Sequence, residues 1–159
     1  MAQELGLGVT PWSPLKSGLL SGKYTRKNAQ PQDGGRGAFM GHLLNEKTFA
    51  LIDELEKIAS AHDTTVARVA LAWLQVQPGV TSTIIGARTL KQLDDNLQAL
   101  DVKLQPAEVA QLNELTKPKL IFPASMQPLF PAIHNGGTSV NGVYAPSSPF
   151  TLQPGEKPY

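Results

Sequence analysis

Two short stretches concentrate the side chains best suited to holding an anion. The first is Trp12-Ser13-Pro14-Leu15-Lys16-Ser17-Gly18-Leu19-Leu20-Ser21-Gly22-Lys23-Tyr24. The second is Gly86-Ala87-Arg88-Thr89, which runs on into Gln92, Asp95 and Asn96. Glycine lets backbone N–H groups approach an anion closely, and a helix N-terminus adds a partial positive charge. Lys23 offers a point charge, and Arg88 a planar fork that can grip a phosphate in two places. On a helix starting near Thr89, Gln92 and Asn96 stand four residues apart on one face, with Arg88 at its edge. One face can then meet both a phosphate and a base. Ordinary structural roles compete for the same residues. Thr89 and Gln92 also suit a helix cap, Arg88 an ion pair with Asp94 or Asp95, and Trp12 a core position. The first stretch matches neither a Walker loop nor a GxGxxG dinucleotide turn.

Other chemistries find little support. With no cysteine there is no thiolate nucleophile, disulfide framework or cysteine metal site. His42, His62 and His134 share no ligand spacing, so no metal centre is expected, and they read as surface or loop residues. A net charge of +1 makes no electrostatic case for nucleic acid or an anionic membrane. Val69 to Ala87 is uncharged and near membrane-spanning length, but Pro78-Gly79 and its polar side chains favour a buried helix, a turn and a buried strand. The opening MAQELGLG does not read as a secretory signal, and the expected location is cytoplasmic.

The elements that must position the two stretches follow from periodicity. Val9 to Trp12 suits a short buried strand, and Val80 to Ile85 is a β-branched run that suits another. Residues 16–45, with Gly-Gly-Arg-Gly at 34–37, read as a long loop. Phe49, Ile52, Leu55, Ile58 and Ala59 recur at helical spacing within Glu46–Ala61, which predicts an amphipathic helix. Thr64 or Thr65 can cap a second helix that runs to about Val76 and ends at Pro78-Gly79. Thr89 opens a third, with Gln92 in capping-box position, and Pro106 opens a fourth. The order is a βα pattern. Residues 118–159 hold eight of the thirteen prolines and three charges, and read as an irregular arm lying across some surface. Two regions are therefore expected, 1–117 and 118–159.

The two stretches also resemble a known family. TPWSPLKSGLLSGKY at 10–24 looks like the seventh strand and following loop of aldo-keto reductases, and TSTIIGARTLKQLDDNL at 81–97 looks like their eighth strand and helix. With the connecting segment, the resemblance covers about residues 4–122. It implies a (β/α)8 barrel that reduces aldehydes and ketones with NADPH, so this chain is expected to be α/β, a partial barrel holding the last two βα units. Barrel phosphate sites commonly follow strands seven and eight. Carried over residue by residue, the resemblance puts Trp12 against the nicotinamide and Ser13, Leu15, Gly18, Leu20 and Lys23 along the pyrophosphate. Gly86 and Arg88 would meet the adenosine 2′-phosphate, which favours NADP(H) over NAD. Gln92 and Asn96 would contact the adenine end, with Asp95 beside them.

The resemblance also exposes a gap. The family's catalytic Asp, Tyr, Lys and His come from earlier strands, and no residue here stands in such a context, Tyr24, Tyr144 and Tyr159 included. Hydride transfer to a carbonyl needs an acid for the developing alkoxide. The expectation is a truncated, cofactor-binding portion of an oxidoreductase that is inactive alone. The alternatives are a non-enzymatic NADP(H)-binding or assembly module, and a different enzyme for which no acid–base constellation is visible. Two parallel strands cannot close a barrel, and the helices Glu46–Ala61 and Thr65–Val76 carry apolar faces that an absent half would cover. A homo-oligomer is therefore expected, with exchange of elements between copies as one route to it.

Overall fold

The computed structural model describes residues 2–29 and 41–146. The Gly-Gly-Arg-Gly run at 34–37 and the end of the tail, Tyr159 included, lie outside the described residues. The chain divides into two units, Met1–Lys117 and Pro118–Tyr159.

The first unit is built on helices. Asn45 caps α1 (Glu46–Ala61) by accepting from the Thr48 N–H at 3.1 Å, and Ile52, Leu55, Ile58 and Ala59 form its buried stripe. Thr65 caps α2 (Val66–Gln75) through the Arg68 N–H, and six of its ten residues are buried. A helix so apolar must pack on several sides, and α2 does. It lies on α1 and on the 3₁₀ turn Gln98–Asp101, and it touches α3 (Leu90–Leu97). Pro106 starts α4 (Pro106–Thr116), where its missing N–H costs nothing, and Glu108 reaches back to the Gln105 N–H at 2.7 Å. The core joins α1, α2 and α4 through Leu55, Ile58, Val66, Val69, Ala70 and Leu112. Polar ties reinforce it. The Trp73 indole N–H donates to Asn113 Oδ1 at 2.8 Å, and His62 Nε2 stands 2.9 Å from the Glu108 carboxylate. His62 is thus part of a helix–helix tie and only partly exposed, rather than a surface residue.

The two expected strands do pair, in parallel, but only at single bridges: Val9 with Val80 and Trp12 with Ile84. The bonds are Val9 N–H to Gly79 O, Thr81 N–H to Val9 O, and Ile84 N–H to Pro11 O, all between 2.9 and 3.1 Å. Pro11 has no N–H to return, and neither segment has a described neighbour on its other edge, so the ladder does not extend. Gly8 permits the approach: a Cβ there would stand 2.7 Å from Thr81 Oγ1. The first unit is therefore helix-rich with a bridged parallel pair rather than a formed sheet.

A second correction concerns what is left uncovered. The apolar faces of α1 and α2 are buried against each other and α4. The exposed apolar side chains instead lie along Leu5, Leu7 and Val9, at Trp12 and Ile84, and on Leu90, Leu93, Leu97 and Leu100. α3 itself has no buried residue.

The described part of the second unit, 118–146, is more regular than an irregular arm. A 3₁₀ helix, Ala124–Leu129, with Pro128 inside it, leads into α5 (Phe130–Asn135), where Pro131 stands in the first turn and its missing N–H does little harm. A hairpin follows: β1 (Ser139–Val140) pairs antiparallel with β2 (Val143–Tyr144), Val140 opposite Val143. Asn141 and Gly142, at φ 50° and 77°, form its two-residue turn.

Candidate nucleotide-phosphate site

Parallel pairing fixes the direction in which both anion-suited stretches leave the ribbon. Residues 13–24 follow Trp12 and residues 85–88 follow Ile84, and those two residues are bridge partners. The two turns therefore spring from the same end of the pair, the carboxyl end, where ligands of parallel α/β folds bind.

The first turn is tightly wound. Ser13, Lys16 and Ser17 hold φ of 57°, 46° and 55°, and Gly18 follows at 93°. Left-handed backbone costs about 1 kcal/mol or more for a side-chain-bearing residue, and such residues gather at functional turns. The N–H groups of Gly18 and Leu20 both donate to Leu15 O, at 2.9 and 3.2 Å, and that of Leu19 to Lys16 O. The Ser21 hydroxyl closes the turn on Gly18 O at 2.7 Å. Leu15, Gly18 and Leu20 thus shape the turn by spending their own hydrogen bonds inside it. What they leave to meet an anion is side chain: Lys23 above all, with the Ser13 and Ser17 hydroxyls. A Cβ on Gly18 would lie 3.1 Å from both Cε and Nζ of Lys23, so the bare glycine is what lets the ammonium fold over the turn. The ammonium also sits 5.0 Å from the Tyr24 ring centroid.

The second turn is tied to α3 from two positions. Gln92 Oε1 accepts from the Arg88 N–H at 2.9 Å, and Asn96 Nδ2 donates to Gly86 O at 3.4 Å. Thr89 caps the helix through the Gln92 N–H at 3.2 Å. Gln92 therefore reaches one residue beyond its capping-box target, Thr89, and braces Arg88 instead. Arg88 does not pair with Asp94 or Asp95. Asp95 is held by Arg68 at 2.6 Å, and Asp94 accepts from Gln98 at 2.7 Å. Among the described residues the Arg88 guanidinium makes no ion pair. Trp12 is not a core residue either, being 80% exposed.

Two participants escape sequence reasoning. Tyr24, beside Lys23, is 1% exposed and packs with Leu19 and Ile52. Arg26 reaches α1, donating to Glu46 and Asp53 at 2.6 to 2.9 Å. No spacing rule links residue 26 to 46 or 53, which lie 20 and 27 residues further along the chain. Among the described residues no cluster of His, Cys, Asp or Glu could hold a metal ion, and no helix is long and apolar enough to cross a membrane.

Comparison with known proteins adds a family. The sequence profile of the Aldo/keto reductase family matches residues 1–117. The uncharacterized oxidoreductase YrpG of Bacillus subtilis is 38% identical over 114 residues, covering 72% of this chain and 33% of that protein. A probable voltage-gated potassium channel subunit beta of Arabidopsis thaliana is 37% identical over 125 residues, 72% of this chain and 37% of its own length. L-glyceraldehyde 3-phosphate reductase of Escherichia coli is 34% identical over 121 residues, 70% of this chain and 34% of its own. The chain spans about a third of the length of the curated relatives it matches.

Proposed function

The chain belongs to the aldo/keto reductase family, and on that premise we propose that it carries the nucleotide-holding portion of an NADPH-dependent reductase of aldehydes and ketones. In this reading its bridged strands and helices are the last two βα units of a (β/α)8 barrel. The chief support is the Trp12–Ile84 bridge, which starts both anion-suited turns from one end of a parallel pair.

The residues fit such a cofactor. Trp12 offers an exposed indole face on which a nicotinamide ring can stack. Lys23, folded over Gly18, would supply the positive charge for a pyrophosphate, with Ser13, Leu15 and Leu20 from the same turn along it. Arg88, its backbone N–H held by Gln92, would with Gly86 hold a 2′-phosphate through its guanidinium fork, which is the ground for preferring NADP(H). Asn96 Oδ1 and Gln92 Nε2 face no described partner of their own and are suited to the adenine end. When bound, the nicotinamide supplies hydride to a carbonyl carbon. The alkoxide so formed needs a proton, and no acid–base set for it stands out among the described residues. In this reading the chain by itself is a poor catalyst.

A second reading, a non-enzymatic NADP(H)-binding or assembly module, has one observation in its favour. The apolar rows at Leu5, Leu7, Val9 and on α3 are exposed, as a surface awaiting a partner would be. Relatives named as potassium channel beta subunits keep that reading open. Calorimetric titration with NADPH, paired with turnover of an aromatic aldehyde and light scattering, separates the two. Saturable binding with negligible turnover is the expected result for the chain alone, and a homo-oligomer at micromolar concentration favours assembly. Absence of any NADPH binding contradicts the reductase reading and leaves the assembly module alone.

A further inference from the structure

The cation that the phosphate reading depends on is held in place by a second cation that touches no ligand. We propose that Arg26 is a positioning residue for Lys23: it fastens the segment after Lys23 to α1 and so fixes where the ammonium stands. The proposal rests on the nucleotide reading above for its functional consequence, though not for the clamp itself.

Arg26 is gripped by two carboxylates at once. Nη1 and Nη2 donate to the two oxygens of Glu46 at 2.9 and 2.6 Å, and Nε donates to Asp53 Oδ2 at 2.7 Å. Glu46 and Asp53 are seven residues apart on α1 and share a face, with Phe49 between them. The guanidinium carbon lies 5.6 Å from the Phe49 ring centroid. An isolated exposed ion pair holds little, but a two-toothed fork shared between two carboxylates fixes an orientation as well.

The link from Arg26 to Lys23 is short and rigid. Thr25 and Asn28 exchange backbone hydrogen bonds at 3.2 and 3.0 Å, making a small closed turn with Arg26 inside it. From that turn the Asn28 side-chain amide donates to Lys23 O at 3.0 Å. On the other side Tyr24 is sunk in the core beside Leu19 and Ile52. Lys23 is therefore suspended between a buried aromatic ring and a turn bolted to α1. Releasing the bolt frees the carbonyl anchor and lets the ammonium swing away from Gly18.

The test uses the full chain with Arg26→Gln, Arg26→Lys, Lys23→Gln and the double variant Arg26→Gln/Lys23→Gln. Amide hydrogen exchange and NADPH affinity are measured for each. Arg26→Gln is expected to raise exchange at Leu20 and Ser21 and to weaken NADPH binding about fivefold. Arg26→Lys restores only part of that, since an ammonium cannot serve two carboxylates with a planar fork. In the Lys23→Gln background the same Arg26 change should cost less than about twofold, because the group it positions is gone. Equal losses with and without Lys23 overturn the proposal, as does unchanged exchange in Arg26→Gln. A wild-type chain that binds no dinucleotide overturns the nucleotide reading and the functional half of the proposal, whereas raised exchange in Arg26→Gln relative to that chain still upholds the clamp.

Discussion

Arg68 and Arg88 compete for the acidic end of α3, and geometry decides for Arg68. It reaches Asp95 from α2, while Gln98 takes Asp94, so Arg88 keeps its fork for other use. Helical spacing alone makes Asp94 and Asp95 look like Arg88's own partners, because a claim from 27 residues upstream is invisible in it. The same limit hid Tyr24. Among the described residues its buried hydroxyl has no hydrogen-bond partner, and an unmet buried hydroxyl costs roughly 1–3 kcal/mol. Tyr24→Phe is accordingly expected to leave stability unchanged or raise it by about 1 kcal/mol in urea unfolding. A clear loss of stability would show that the hydroxyl has a partner. Glu46 makes a contribution that depends on pH. The hydrogen bonds from Arg26 hold its carboxyl below the ordinary value of 4.5. A carboxyl depressed in the folded state stabilises the fold fully above its unfolded value, and that stabilisation is lost as pH falls toward the lowered folded one. The difference in urea midpoint between wild type and Glu46→Gln should therefore be largest at neutral pH and shrink below pH 4.5. A difference independent of pH would contradict the pairing.

Helices were the most legible elements, and turns between extended segments the least. The bounds of α1 follow from its apolar spacing and the Asn45 cap, and Thr65 and Pro106 mark the next starts where capping chemistry puts them. The strands were overread. β-branched residues at 80–85 promise a strand, yet a strand needs neighbours, and Pro11 deletes a donor in the one it has. The hairpin at 139–144 was readable from Val140-Asn141-Gly142-Val143, since Asn-Gly between apolar residues is a strong two-residue turn signal. Proline content drew attention away from it. Among the helices, α4 is attached by little: Leu112 is its one buried side chain. Leu112→Ala should cost about 2–5 kcal/mol in urea unfolding, and a loss under about 1 kcal/mol would mean that α4 is held chiefly by Trp73–Asn113 and His62–Glu108.

At the scale of the whole molecule, a family with a (β/α)8 architecture contributes here a helix-rich unit with two parallel contacts and an exposed apolar border. Family membership was legible because two long motifs occur in order. The pairing partners along that border were not, because nothing in residues 5–12 or 90–100 says what covers them. In the proposed function, the turns at Lys23 and Arg88 hold one phosphorylated dinucleotide between them. Titrating wild type and Arg88→Ala with NADPH and with NADH tests it most directly. The expected result is a loss of about ten- to a hundredfold in NADPH affinity and little change for NADH, since NADH lacks the phosphate that the fork would grip. Equal weakening for both cofactors, or no weakening for either, would contradict it.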